Sequence, residues 1–181
     1  MPAELSTRSI VLDSNLLLLF LVGSLDRQLI GKHKRTEHFT IEDFDRLLTM
    51  LPPTPIKLVT TPNILTEVSN LAGQIEQTTK TKILSRLAMI CEVLDERYLE
   101  SKGASRQACF SELGLTDAVL VKLCSSGGVL LTADLDLFLE VTKAGGKAAN
   151  FNHGRQQGWL RPASSSKHRK DRSSKRRRPK S

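Results

Sequence analysis

Apolar residues along this chain follow two periods, and each period predicts one kind of element. Short uninterrupted runs come first. Ile10-Val11-Leu12, Ile56 to Thr60 and Val129 to Thr132 are bounded by polar residues and predict strands buried on both faces of a parallel sheet. Lys147 to Phe151 predicts a last, more polar strand. Helical spacing fills the intervals. Leu16 to Val22 follows the polar triplet Asp13-Ser14-Asn15, which can cap a helix, and runs into Gly23, which can end one. Thr40, with Asp43 at the capping-box position, opens a helix to about Leu51 whose apolar face is Ile41, Phe44, Leu47, Leu48 and Leu51. Pro52-Pro53-Thr54-Pro55 stops it. Thr61-Pro62 opens the next helix, with Ile64, Leu65, Val68, Leu71, Ala72 and Ile75 as its buried stripe. Thr79 to about Leu99 predicts another, buried through Ile83, Leu87, Ile90 and Leu94. Thr116 caps a helix ended by Gly127-Gly128, and Asp134 opens one closed by Gly145-Gly146. Ser24 to Phe39 shows no clear period and reads as a loop or short irregular helix, with His33 and His38 on the surface; Ser101 to Gly114 is weakly patterned.

Alternating short strands and helices predict an α/β fold with a central, mainly parallel sheet flanked by helices. The chain of 181 residues divides into one folded domain over residues 1–160 and a tail over 161–181 in which apolar residues vanish and no core can form. Charge sharpens that division. The formal net charge is +8, but the tail holds ten Lys/Arg and one acid, leaving 17 basic against 18 acidic residues before it. The domain is therefore nearly neutral and the basicity belongs to the tail. A run such as Lys175-Arg176-Arg177-Arg178 suits attachment to nucleic acid or, in a eukaryotic cell, nuclear import. The three cysteines, Cys91, Cys109 and Cys124, form no CxxC pair, and the four histidines show no zinc spacing. No apolar run approaches the ~20 residues that span a membrane, and Asp13 and Asn15 interrupt what would be the core of a secretory signal. The expectation is a soluble, cytoplasmic protein.

The acids are then the residues to place. Asp13 follows one predicted strand and Asp134 follows another, so parallel strands would bring both carboxylates to one edge of the sheet. Glu67 lies three residues after Ile64 and four before Leu71, on the buried stripe of its helix, and Asp117 lines up with Leu120, Val121 and Cys124. An acid on an apolar stripe costs several kcal/mol unless something pairs with it. Neither helix offers a Lys or Arg at a matching position. A shared cation accounts for all four at once, and their crowding predicts that at least one titrates well above its ordinary range. Taken singly, Asp13, Asp117 and Asp134 also suit helix N-termini. Asp136 and Glu112 are weaker candidates, one in the first turn of its helix and one in an irregular segment.

The pieces IVLDSN, TPNILTEVSNL, LGLTDAVLVKL and VLLTADLDL, in that order, resemble the four acidic motifs of the PIN-domain nucleases. The likeness covers about Ile10 to Phe151. It implies a PIN-like three-layer fold, and it implies that Asp13, Glu67, Asp117 and Asp134 are the catalytic, metal-holding acids, with Asp136 as a further metal position. By the same likeness Asn15, Thr116 and Thr132 are substrate-positioning residues. The implied activity is a Mg²⁺- or Mn²⁺-dependent endoribonuclease, either an RNA-processing enzyme or the toxin of a toxin–antitoxin pair. Its partners would be RNA (DNA being a second polymer the chemistry admits), an antitoxin protein and a second copy in a homodimer. The long polar insertion Ser24–Phe39 and the basic tail depart from the compact toxin pattern. The alternative is a non-catalytic RNA-binding or scaffold PIN domain acting through its tail. A metal-dependent phosphatase would want an Asp-x-Asp pair, which Asp13-Ser14-Asn15 does not supply.

Overall fold

The computed structural model describes residues 9–51 and 58–153. Within them the chain forms β1 (Ile10–Leu12), α1 (Ser14–Leu25), a 3₁₀ turn (Arg27–Leu29), α2 (Ile41–Met50), β2 (Leu58–Thr60), α3 (Pro62–Leu71), α4 (Gln77–Cys91), β3 (Asp95–Glu96), α5 (Ser101–Ala104), α6 (Phe110–Ser125), β4 (Val129–Thr132), α7 (Leu135–Lys143) and β5 (Lys147–Asn150). The proline cluster, the start of the second predicted strand, the domain boundary at residue 160 and the basic tail lie outside the described residues. No helix among the described residues is long and apolar enough to cross a membrane.

The five strands make one sheet in the order β3-β2-β1-β4-β5, and every neighbouring pair is parallel. The expected α/β class with a helix-flanked parallel sheet is what the chain adopts. The chain steps outward from β1 through β2 to β3, then returns to lay β4 on the other side of β1. Right-handed crossovers in the two directions place helices on opposite faces of the sheet. Strand order therefore reverses between β1 and β4, whose register runs Ile10↔Val129 to Leu12↔Leu131. Such a reversal opens a crevice at the carboxyl ends of the two strands.

The core centres on α1. Leu16 to Leu19, Leu21 and Val22 are all buried, so this helix is apolar around its whole circumference rather than along one stripe. It does not stop at Gly23 as the sequence suggests but continues to Leu25. Gly23 serves instead as a close-approach point, because a Cβ there would collide with the Phe44 ring of α2. Gly23→Ala should thus lower stability by about 1–3 kcal/mol through overpacking, outweighing the ~1 kcal/mol that alanine gains in helix propensity. A thermal melt checks this, and an unchanged or raised midpoint would mean that Phe44 yields freely.

Several expected elements take a different form. The predicted helix from Thr79 to Leu99 begins at Gln77, capped by Glu76, and ends at Cys91. Beyond it Asp95–Glu96 pairs with Val59 and Thr60 as an edge strand. Two charged residues carry no hydrophobic signal for a strand, and Leu94, which continues the helical stripe, is half-buried just after the helix ends. Thr116 does not cap its helix. Gly114, at φ 84°, breaks the helical path inside α6, so Thr116 sits within the turn that follows. The insertion at residues 24–39 is the expected irregular segment, a short 3₁₀ helix followed by turns, but His33 within it is wholly buried rather than on the surface.

Candidate functional site

The crevice between β1 and β4 receives its acids from four elements. Asp13 immediately follows β1, and its amide continues the ladder by donating to the Leu131 carbonyl at 3.2 Å. Its carboxylate is almost fully buried and turns back onto the two strand ends. Oδ1 accepts the Leu16 amide at 2.7 Å, which caps α1. Oδ2 accepts the Ala133 amide at 3.1 Å and the Thr132 hydroxyl. Burial pushes the Asp13 carboxyl up; these three donors pull it back, and the negative charge of Asp134 adds to the rise.

Thr132 links two of the acids. It is wholly buried, donates to Asp13, and accepts the Asp134 amide at 2.9 Å on the same oxygen. Its hydroxyl therefore positions the carboxylate of Asp13 and the start of α7. Asp134 caps α7, with Oδ1 accepting the amides of Asp136 and Leu137 at 2.8 and 3.0 Å. The capping uses of Asp13 and Asp134 are thus both real, and each leaves carboxylate capacity over.

Glu67 projects from the second turn of α3 toward the start of α1, where the Ser14 hydroxyl donates to its Oε2 at 3.1 Å. Ser14 is a site residue that the sequence reading treated only as part of a cap. Asp117, on α6, completes the set. It is largely buried and has no hydrogen-bond partner among the described residues. Burial pushes its carboxyl up to about 7, and the negative charges of Glu67, Asp134 and Asp13 act in the same direction. The four predicted acids are therefore neighbours at this end of the sheet, with Asp13 buried, Glu67 and Asp117 partly buried and Asp134 exposed. Asp136 is exposed beside them but is not among the charges bearing on Asp117, and exposed Glu112 acts on Lys143 instead. Asn15 lies half-buried in the first turn of α1.

Beside Glu67 runs an open groove of about 340 Å³ lined by Pro62, Asn63, Thr66, Glu67, Asn70 and Thr116. Asn63, Glu67 and Asn70 fall on one face of α3 at helical spacing. That spacing alone could have marked Asn63 and Asn70 as neighbours of Glu67 on this face. Thr116, expected to position substrate, faces this groove from α6. Away from the crevice the thiols are quiet: burial raises Cys124 to about 12, and Cys91 and Cys109 are also raised by burial.

Fit to a divalent cation can be judged from the donor set. Each carboxylate offers about four lone-pair positions. Hydrogen bonds occupy three of these positions on Asp13, one on Glu67, two on Asp134 and none on Asp117. All the donors are oxygen, which suits Mg²⁺ or Mn²⁺. Among the described residues no group of three or more acidic, histidine or cysteine side chains is placed to hold a metal ion. Compared with protein families, curated proteins and solved structures, the chain matches none.

Proposed function

We propose that the protein is a Mg²⁺- or Mn²⁺-dependent nuclease that hydrolyses RNA phosphodiester bonds internally, in the manner of the PIN-domain nucleases its motifs resemble. One observation carries the reading. Four acids from four separate elements lie near one another at the reversal point of a parallel sheet, and burial, with the charges of the others adding to it, drives Asp117 to about 7. Ionising Asp117 without a cation is costly, because burial and the like charges near it oppose the carboxylate.

An ion there would rest on one or two of Asp13, Glu67, Asp117 and Asp134 and complete its shell with water, with Asp136 at the exposed margin. Bound there, a divalent ion supplies an activated water near neutral pH and neutralises charge on the phosphate. The rest is work for the chain's own groups. Asp13 is fixed by three donors, so its free lone pair points in one direction. Thr132 holds Asp13 and the Asp134 amide at a set distance from one another. Ser14 fixes the rotation of Glu67. The groove beside Glu67 offers uncharged amides and hydroxyls, groups that suit the ribose and base of a single strand and do not repel its phosphates.

The test uses the purified full chain with single-stranded RNA, structured RNA and single-stranded DNA of matched length. Internal cleavage of RNA in Mg²⁺ or Mn²⁺, leaving a 5′-phosphate and stopping in EDTA, is the expected result. Cleavage that persists in EDTA overturns the metal-centred reading. RNA binding without cleavage in any of these ions favours the scaffold reading, in which the basic tail does the work.

A further inference from the structure

The insertion between α1 and α2 has a construction that the acid crevice does not explain. Burial in it repeats every third residue: Ile30, His33, Thr36 and Phe39 are buried, and the pairs between them, Gly31-Lys32, Lys34-Arg35 and Glu37-His38, are exposed. Backbone bonds tie successive turns, with the His33 amide donating to Leu29 at 2.9 Å, Thr36 to His33 at 2.8 Å and Phe39 to Thr36 at 2.9 Å. Side chains lock them further. The Thr36 hydroxyl donates to the Ile30 carbonyl at 2.8 Å, and the Arg35 amide donates to His33 Nδ1 at 3.2 Å. The Phe39 ring stands edge-on to Phe151. His33 Nε2 is buried beside the Ala72 carbonyl without good hydrogen-bond geometry, a cost that a mere connection need not carry. Connections of this length are uncommon in compact domains unless they serve a function.

Two of the three exposed pairs carry cations, and the third holds Glu37. Lys32, Lys34 and Arg35 form no ion pair with an acid among the described residues, whereas Arg27, Arg46, Arg97 and Lys143 each do. Lys80 brings a further ammonium against Gly73, next to the Ala72 that faces His33. The acids on the same ground are Glu37 and Glu76, and the carboxylate of Glu76 is engaged in capping α4.

We propose that this pinned basic ridge is a docking site for the phosphate backbone of nucleic acid, in which Lys32, Lys34 and Arg35 contact successive phosphates. Fixing the turns beforehand removes ordering cost at the moment of binding. The site is sequence-independent and separate from the acid crevice, so it holds whether or not the crevice cleaves RNA.

The test is binding of a fluorescent single-stranded 20-nucleotide RNA in EDTA, across a salt series, by the full chain. The variant Lys32→Ala/Lys34→Ala/Arg35→Ala changes only exposed side chains, and a thermal melt verifies its fold. Losing three phosphate contacts should make the slope of log K against log salt shallower by about 2 and weaken binding roughly tenfold at low salt. A charge-matched control, Lys102→Ala/Arg106→Ala/Lys147→Ala, removes three exposed cations elsewhere and should move the slope by clearly less. Equal effects in the two variants, or no effect in the first, overturn the site and leave an acidic protein surface as the ridge's better partner.

Discussion

Asparagine in place of Asp117 should make the metal-free protein more stable and less active at the same time. In the folded chain its carboxyl titrates at about 7, pushed there by burial and by Glu67, Asp134 and Asp13. In the unfolded chain an aspartate titrates near ~3.9. Below about pH 4 both states hold the proton and the group has no effect on stability. From there up to about 7 the unfolded state ionises while the folded state keeps its proton, so stability falls as pH rises. Above 7 the penalty is complete, on the order of 4 kcal/mol at ~1.4 kcal/mol per pH unit. Asp117→Asn removes it. Denaturant titrations in EDTA should find the variant a few kcal/mol more stable at pH 8 and merging with the parent near pH 4. Losing even a support of a metal ligand costs roughly 10–100-fold in affinity or activity, so cleavage should fall by more than that. An advantage that is absent at pH 8 would mean that the crevice acids do not crowd one another.

Asp13→Asn should behave in the opposite way toward stability while also ending cleavage. Its carboxylate accepts from Leu16, Ala133 and Thr132. An amide keeps one acceptor oxygen. If that oxygen stays on the Leu16 amide to cap α1, the new NH₂ faces the Ala133 N–H, donor against donor. A buried donor left without an acceptor costs about 1–3 kcal/mol. Relief of burial and of repulsion from Asp134 offsets part of this. The same denaturant series at pH 7 measures the balance. A gain in stability as large as that of Asp117→Asn would mean that charge repulsion outweighs the cap.

The contrast between these two acids shows where sequence reasoning reached and where it stopped. Strand β1 and Asp13, strand β4 and Asp134, and the Thr61-Pro62 start of α3 were legible because each couples an apolar run to a polar residue of known local use. Glu67 and Asp117 were legible from helical spacing, since an unpaired acid on a buried stripe stands out. What pattern could not supply was the partner. Ser14 reaching Glu67 and Thr132 reaching Asp13 join residues 53 and 119 positions apart, and no local period encodes that. Nor could it supply β3, whose two residues are both charged and owe their extended form to pairing with β2. His33 misled for a related reason. Its neighbours Lys32 and Lys34 are exposed, and the polarity of a window says nothing of a single residue turned inward every third position.

Because most of α1 is buried, most of its amide protons are shielded from solvent until the domain unfolds. They should be among the slowest in the chain to exchange with deuterium. The Leu16 amide held by Asp13 belongs to that set. On α7, Leu135 and Leu139 are about half exposed, so its amides can exchange through local opening. The crevice therefore has one wall that moves only when the fold is lost and one wall that can breathe. Asp134 rides on the second.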